Sequence, residues 1–292
     1  MKNYLITGAT GYIGSKLTKR LVDEGHRVVC IVRKHSNTLL LESISSRIDL
    51  VIWDGSVDSL INGLKNYQID LVFHLASCFI AEHNSNQVTE LIESNVLFGT
   101  HLLEAMLQNN IKYIVNTGTS WQHYNNESYD PVCLYAATKE AFEKVIAYYI
   151  NAHRFKCITL KLFDTYGPDD PRKKLLHLLK RIALSNEVLG MSPGLQQIDL
   201  THIEDVVNAF LIAAARIIEK KQITSDESFA VASGKVLTLK DVVKKFELSK
   251  NVKLNINWGD RPYRDRETMC LWQDYSILPQ WRPMYHFPEG IE

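Results

Sequence analysis

Tyr135-Ala136-Ala137-Thr138-Lys139 sets a phenol and an ammonium four residues apart, which places both on one face of a helix. A phenol with a pKa near 10 is a sluggish acid or base at neutral pH, and a neighbouring ammonium lowers it. Tyr135 could then pass a proton to or from a sugar or alcohol oxygen. By itself this pattern also describes an ordinary surface pair. A second motif gives it weight. Gly8-Ala9-Thr10-Gly11-Tyr12-Ile13-Gly14 follows an apolar run and opens a helical pattern ending at Glu24, with Gly25 as its stop. Glycines there allow a tight turn and close approach of the backbone to a pyrophosphate, whose charge is met by free N–H groups and the helix dipole. The loop points to a dinucleotide, and an oxidised nicotinamide would add to the lowering of Tyr135.

About twenty residues beyond such a loop, NAD sites usually place an acid for the ribose 2′-hydroxyl. Here the run ends Ile31-Val32-Arg33-Lys34 with no carboxylate. An arginine fork suits a 2′-phosphate, through charge-assisted hydrogen bonds of roughly 1.5 to 3 kcal/mol each. NADP(H) is expected, with NAD as the alternative; the other reading is that Arg33 and Lys34 are solvated charges. Asp54-Gly55, at the end of the third run, is a plausible partner for the adenine amino group or simply a turn.

These residues need a scaffold. Apolar runs at Tyr4 to Thr7, Arg27 to Val32, Asp49 to Trp53, Asp70 to Leu75, Lys112 to Thr117 and Lys156 to Phe163 alternate with helical stretches, the pattern of βαβ units on a parallel sheet. Several runs are apolar at successive positions, as a strand covered on both faces requires. The expected fold is a Rossmann-type doubly wound α/β domain over residues 1–165, then a smaller substrate-binding lobe over 166–292. A Lys-rich helix (Lys173 to Asn186) and a short strand near Gln197 to Leu200 belong to that lobe, and segments near 197–218 are free to return to the first domain. At 292 residues, 46% hydrophobic, the chain is long enough for two such bodies. Its 33 basic and 33 acidic residues balance, so no global field attracts nucleic acid or a membrane. Five scattered cysteines, no signal peptide and no long apolar run suit a soluble cytoplasmic protein. Ten histidines without H-E-x-x-H or metal-spaced cysteines predict no metal site.

Taken together, these motifs resemble the extended short-chain dehydrogenase/reductase family of nucleotide-sugar epimerases, dehydratases and reductases. The resemblance covers essentially the whole chain and rests on Gly8 to Gly14, His74-Leu75-Ala76-Ser77, Asn95 with Gly99-Thr100, Tyr135 with Lys139, and Leu162 to Pro168. It implies that Leu75, Ala76, Ser77, Asn95 and Thr117 line the cofactor beside Gly8, Thr10, Gly11, Tyr12, Ile13 and Gly14. It also implies that a Ser or Thr at the end of the fifth strand completes a triad with Tyr135 and Lys139. Alignment by Tyr113 to Asn116 puts Thr119 there, with Thr117 and Ser120 as near alternatives. His74 reads as a packed group beside the cofactor. Within the family, Asn116 to Tyr124 is most similar to the CDP-abequose and CDP-paratose synthases, reductases of CDP-linked 4-keto-deoxy sugars. The family's dehydratases carry an Asp-Glu pair after the triad Thr, because eliminating water needs a further acid and base. Here Ser120-Trp121 stands in its place.

Departures from the family pattern also bear on the substrate. The Asn usual before Y-G-P is Asp164, a carboxylate that phosphates repel unless a base or cation intervenes. A common Arg is replaced by Gln197. Arg264-Asp265-Arg266-Glu267 matches a late R-x-x-[DE] element, making Arg264 the candidate for the pyrophosphate or its ribose, with Arg261 and Arg172 behind it. Ser120, Trp121 and His123 lie where a sugar pocket is expected, although Trp121 also suits a core, and Trp281-Arg282-Pro283 reads as a tail packing on the smaller lobe. The expectation is an NADPH-dependent reductase of a nucleotide-activated 4-keto-deoxy sugar in surface-polysaccharide synthesis, the resemblance favouring a CDP-linked one. The alternatives are a nucleotide-sugar 4-epimerase with tightly bound NAD and, less well matched to a complete triad, a non-catalytic NADP sensor. The resemblance further implies a homodimer through the helix of Tyr135.

Overall fold

The computed structural model describes residues 1–185 and 187–291. In chain order the strands are β1 (Asn3–Thr7), β2 (Arg27–Arg33), β3 (Ile48–Trp53), β4 (Leu71–His74), β5 (Tyr113–Thr119), β6 (Lys156–Leu162), β7 (Asp164–Tyr166), β8 (Leu189–Met191), β9 (Gln197–His202), β10 (Asp226–Val231), β11 (Val236–Thr238) and β12 (Ile256–Trp258). The helices are α1 (Tyr12–Asp23), α2 (Val57–Leu64), α3 (Val88–Ile92), α4 (Phe98–Gln108), α5 (Leu134–His153), α6 (Leu175–Ser185), α7 (Ile203–Ile218) and α8 (Leu239–Lys250). The expected helix from Lys173 to Asn186 corresponds to α6, which begins two residues later at Leu175; Asn186 lies outside the described residues.

Seven strands form one sheet in the order β10-β6-β5-β4-β1-β2-β3, every neighbouring pair parallel. Successive side chains of a strand face opposite sides, so the apolar runs feed two cores. Tyr4, Ile6, Val115, Ile158 and Leu160 pack with α1 and α7, while Leu5, Ile114 and Cys157 pack with α2, α4 and α5. This is the Rossmann-type α/β fold. Strand order reverses between β1 and β4, and ligands of such sheets lie beyond the carboxyl ends of the strands at that switch. Gly8 and Leu75 begin the loops that leave those two ends.

Beyond β7 the chain builds a smaller body from β7, β9 and β11, the β8–β12 pair, α6 and α8, centred on Tyr166, Leu179, Val242 and Phe246. Two stretches of 166–292 pack on the large sheet instead. One is α7, whose apolar face from Ile203 to Ile217 enters the first core. The other is β10, which extends the sheet beside β6 from Asp226↔Cys157 to Val231↔Leu162 and was not expected there. Trp281 likewise joins the large-sheet core rather than the smaller lobe, its indole N–H donating to the Asp205 carbonyl of α7 (2.9 Å). Among the described residues no helix is long and apolar enough to cross a membrane.

Candidate active site

Gly8 has φ +72°, and a Cβ there would lie 2.6 Å from the Ala76 nitrogen and the Leu75 carbonyl carbon. Only glycine lets the loops after β1 and β4 lie this close. Gly14 allows α1 to dock on the same turn, since a Cβ would overlap the Gly8 carbonyl oxygen. The α1 N-cap, Gly11, supplies no side-chain cap, and the first turn holds no acidic residue, so the leading N–H groups stay open to an anion. Gly8, Thr10, Gly11, Arg33, Leu75, Ala76 and Ser77 line one cavity of about 310 Å³ together with Ser36, Trp53, Cys78, Glu90 and Phe98. Arg33 is exposed at the end of β2, where its backbone exchanges hydrogen bonds with Ser36.

Several expected cofactor residues do other work, Thr117 among them, whose hydroxyl is held by the His74 carbonyl. Asn95 is fully buried, and its amide is satisfied within the protein. It accepts from Ser77 Oγ (3.1 Å) and the Cys78 N–H (2.7 Å), and donates to the Cys78 carbonyl (3.0 Å) and Thr138 Oγ1 (2.9 Å). Asn95 therefore fastens the 77–78 loop to α5. Its position in a π-turn from Glu93 to Leu97 aims it inward. Asp54 turns its carboxylate back on the Ser56 N–H and hydroxyl (2.9 and 2.7 Å), and neither it nor Gly55 lines the cavity. Tyr12 donates its hydroxyl to the Pro168 carbonyl (2.9 Å), joining α1 to the turn after β7. Ile13 packs against the large-sheet core.

Tyr135 and Lys139 occupy successive turns of α5, both buried. Burial pushes the Tyr135 phenol up to about 12, with Ser77 hydrogen-bonded to it pulling the other way. The expected lowering by Lys139 is therefore not what the chain alone produces. Burial also brings Lys139 down to about 8, opposed by Glu143, and its ammonium has no hydrogen-bond partner. A buried ammonium without partners is costly and fits the paired hydroxyls of a nucleotide ribose. His74 is buried, held at Nδ1 by Thr7 Oγ1 (2.8 Å), and burial next to Lys139 keeps it well below the usual histidine range.

The three candidates for the third hydroxyl differ in their surroundings. Thr117 donates its proton to the His74 carbonyl (2.8 Å), and Ser120 faces the larger cavity described below. Thr119 accepts from the Trp121 N–H (3.3 Å), which leaves its own O–H proton available. One residue escaped sequence reasoning. Phe79 meets the Tyr135 ring edge-on at 5.0 Å and Trp121 at 5.5 Å, while Lys174 covers it at 5.3 Å. No periodicity or motif marks Phe79, because its role exists only once β4 and α5 are neighbours.

Ser120, Trp121, Asp164, Arg172 and Arg264 come together with Phe79, Gln197 and Arg261 around a cavity of about 700 Å³. Tyr135 touches the walls of both cavities, Ser77 of the smaller and Phe79 of the larger. A cation does stand beside Asp164: Lys174 Nζ is 3.5 Å from it. Arg264 spreads its fork on Glu267 (2.7 and 3.2 Å) and lies over Trp121 at 5.4 Å. Arg172 is held by Asp170 (2.7 and 2.8 Å) and the Thr165 carbonyl (2.9 Å). Gln197 accepts the Leu271 N–H (3.0 Å). His123 turns away from this cavity, stacking on Trp272 at 3.9 Å.

Against known proteins, the model of the NAD dependent epimerase/dehydratase family matches residues 4–225. CDP-abequose synthase of Salmonella muenchen is 25% identical, covering 100% of this chain and 96% of that protein. UDP-glucose 4-epimerase of Halalkalibacterium halodurans is also 25% identical, covering 82% and 78%. In fold, the chain is similar to the crystal structure of UDP-glucose-4-epimerase from Stenotrophomonas maltophila with bound NAD and formylated UDP-arabinopyranose. The TM-score is 0.87 at 19% identity, with 100% and 96% covered.

Proposed function

The chain belongs to the NAD dependent epimerase/dehydratase family, and we propose that within it this protein is an NADPH-dependent 4-ketoreductase of a CDP-linked deoxy sugar. The reading is supported by three proton donors: Tyr135, which touches the walls of both cavities, with Lys139 on the same helix face and Thr119 at the end of β5. Tyr135 is held protonated by burial, the Thr119 hydroxyl is free to donate, and Lys139 presents an unpartnered ammonium. A carbonyl oxygen gaining charge needs such donors. Ser120 and Trp121 occupy the place of the carboxylate pair that elimination requires. Of the carboxylates that line the cavity, Asp164, Asp170 and Glu267 are each ion-paired, while Glu82 makes no ion pair among the described residues. Similarity to CDP-abequose synthases along the full chain supports the CDP-sugar assignment.

The glycine loop, the open α1 N-terminus and the Lys139 ammonium suit the pyrophosphate and ribose of a nicotinamide nucleotide, and Arg33 its 2′-phosphate. When bound, that nucleotide supplies the hydride. Tyr135 then gives its proton to the sugar carbonyl oxygen while Thr119 donates a hydrogen bond to the same atom. Lys139, one turn away, steadies the phenolate left behind and fixes the ribose. Arg261 is the ligand proposed for the diphosphate, since among the described residues it is the arginine of this lining without an ion-pair partner, and an arginine fork meets two phosphate oxygens at once. A homodimer through α5 is part of the same proposal. Product analysis by mass spectrometry after incubation with NADPH and a panel of nucleotide-linked 4-keto-6-deoxy sugars tests the reading. A CDP-linked product two hydrogens heavier than its substrate supports it, and no reduction of any member of the panel rejects it.

A further inference from the structure

Gln122 is fully buried, and its carboxamide is engaged at both ends. Its Oε1 accepts the Thr119 N–H (2.9 Å), and its Nε2 donates to Glu140 Oε2 (2.6 Å) and Glu143 Oε1 (2.9 Å). Both acids lie on α5, directly after Lys139 and one turn beyond it. The opposite amide orientation would set Nε2 against an N–H and Oε1 against two carboxylate oxygens, so the chemistry fixes the orientation. Two carboxylates this close repel. Lys161 of β6 relieves the repulsion, its Nζ standing 3.8 Å from Glu140 and 3.6 Å from Glu143.

The same ammonium lies 3.0 Å from His123 Nε2. His123 therefore presents a lone pair at Nε2 and donates from Nδ1 to the Glu127 carbonyl (3.1 Å). Burial raises the Glu143 carboxyl while Lys161 and Gln122 pull it back. Gly118 makes the room: a Cβ there would lie 2.9 Å from Lys161 Cγ and 3.0 Å from both Gln122 Oε1 and Glu143 Oε1.

We propose that Gln122 is a positioning residue that ties the backbone of Thr119 to the helix carrying Tyr135 and Lys139, so that the two hydroxyls meeting the substrate oxygen move as one body. The tie holds while Glu140 and Glu143 are ionised, the state Lys161 favours. The proposal rests on the reading of Thr119, Tyr135 and Lys139 as the reacting groups. A displacement of about 1 Å in such a constellation is enough to cost on the order of a hundredfold in rate.

The full chain is used for the test. In Gln122→Met, amide hydrogen exchange at Thr119 is expected to speed up about tenfold. Its kcat is expected to fall about 10- to 100-fold, with nicotinamide-nucleotide affinity staying within about threefold. Gln122→Glu provides a rescue arm. Its carboxyl can accept the Thr119 N–H but donates to Glu140 or Glu143 only when protonated. Its rate relative to wild type therefore rises as pH falls from about 8 to about 5.5. The charged groups reaching this cluster are Lys139, Glu140, Glu143 and Lys144 of α5, Lys161 of β6, Asp226 of β10 and His123; the ratio removes what they contribute equally to both proteins.

Unchanged exchange at Thr119, a kcat within twofold of wild type in folded Gln122→Met, or a pH-independent Gln122→Glu ratio overturns the proposal. If the methionine variant does not fold, the exchange measurement is made on Gln122→Asn, whose shorter amide cannot span from the Thr119 N–H to the two glutamates of α5. A wild-type protein that reduces no keto-sugar refutes the functional reading instead, and the exchange result, which needs no substrate, still decides the tie.

Discussion

The two cavities that meet at Tyr135 are built on opposite principles. The smaller is walled by groups the fold leaves unanswered: the leading N–H groups of α1 behind Gly11, and Arg33, which makes no ion pair among the described residues. Lys139, buried one turn from Tyr135, likewise has an ammonium without a partner. The larger holds three cations already answered, Arg264 by Glu267, Arg172 by Asp170 and Lys174 by Asp164, beside Lys173, Lys180 and Arg261, which make no ion pair among the described residues. A group the folded chain leaves unpaired at a cost is one that a ligand can complete. An arginine whose fork already holds a carboxylate orients the wall and offers a ligand less. Among the described arginines of the larger cavity, Arg261 alone resembles the first kind.

The largest expected effect lies at the junction. Tyr135→Phe removes the proton donor and little else, so turnover falls about a thousandfold while NADPH affinity stays within a few fold. Steady-state kinetics with equilibrium binding on the purified variant checks both halves.

Lys139→Met tests whether an unanswered group is costly. Turnover falls about a hundredfold and cofactor binding weakens, yet the ligand-free protein gains stability. The sign follows from linkage. With Lys139 at about 8 in the folded chain against its ordinary 10.5, the unfolded chain binds more protons between those values. The buried cation thus destabilises the wild type fully below pH 8, and the penalty fades as pH rises towards 10.5. A drop of that size corresponds to about 3 kcal/mol. Urea titrations at pH 7 and pH 10 are expected to show a stabilised variant at the first and a much smaller difference at the second. A variant less stable than wild type at pH 7 breaks the comparison.

Smaller effects separate the two kinds of arginine. Arg33→Ala is expected to reduce the preference for NADPH over NADH by about ten- to hundredfold, measured by binding of each nucleotide. An unchanged preference removes Arg33 from the 2′-phosphate. Arg261→Ala is expected to raise KM for the sugar nucleotide about tenfold with Tm unchanged. Arg264→Ala is expected to lower Tm by several degrees, because it strands the buried Glu267. If Arg264→Ala moves only KM and Arg261→Ala moves nothing, the paired arginines read the substrate.

Much of this site was legible in local order. The β1–glycine loop–α1 unit and the Tyr135–Lys139 face follow from patterns within a few residues of themselves, and the family resemblance added Thr119 at the end of β5 and, of the larger cavity, Ser120, Trp121, Asp164, Arg172 and Arg264. What escaped depends on contacts across the sheet. Nothing near Asn95 says that Thr138 and Cys78 will satisfy it, and nothing near Gln122 announces two glutamates on α5. Arg264 shows a subtler limit: R-x-x-E was visible as a pattern, but whether the glutamate or a phosphate takes the fork depends on how deeply Glu267 is buried. The return of β10 was hidden for the same reason, since its partner β6 lies some seventy residues earlier.

The central claim, a net reduction carried by donors at the cavity junction, is tested most directly by counting electrons. Absorbance at the reduced-nicotinamide band is followed during reaction with CDP-4-keto-3,6-dideoxyhexose, and any cofactor is extracted from freshly purified protein. The account predicts one NADPH consumed per sugar converted. About one tightly held NAD per subunit, with sugar isomerised and added NADPH untouched, would contradict it and favour the epimerase.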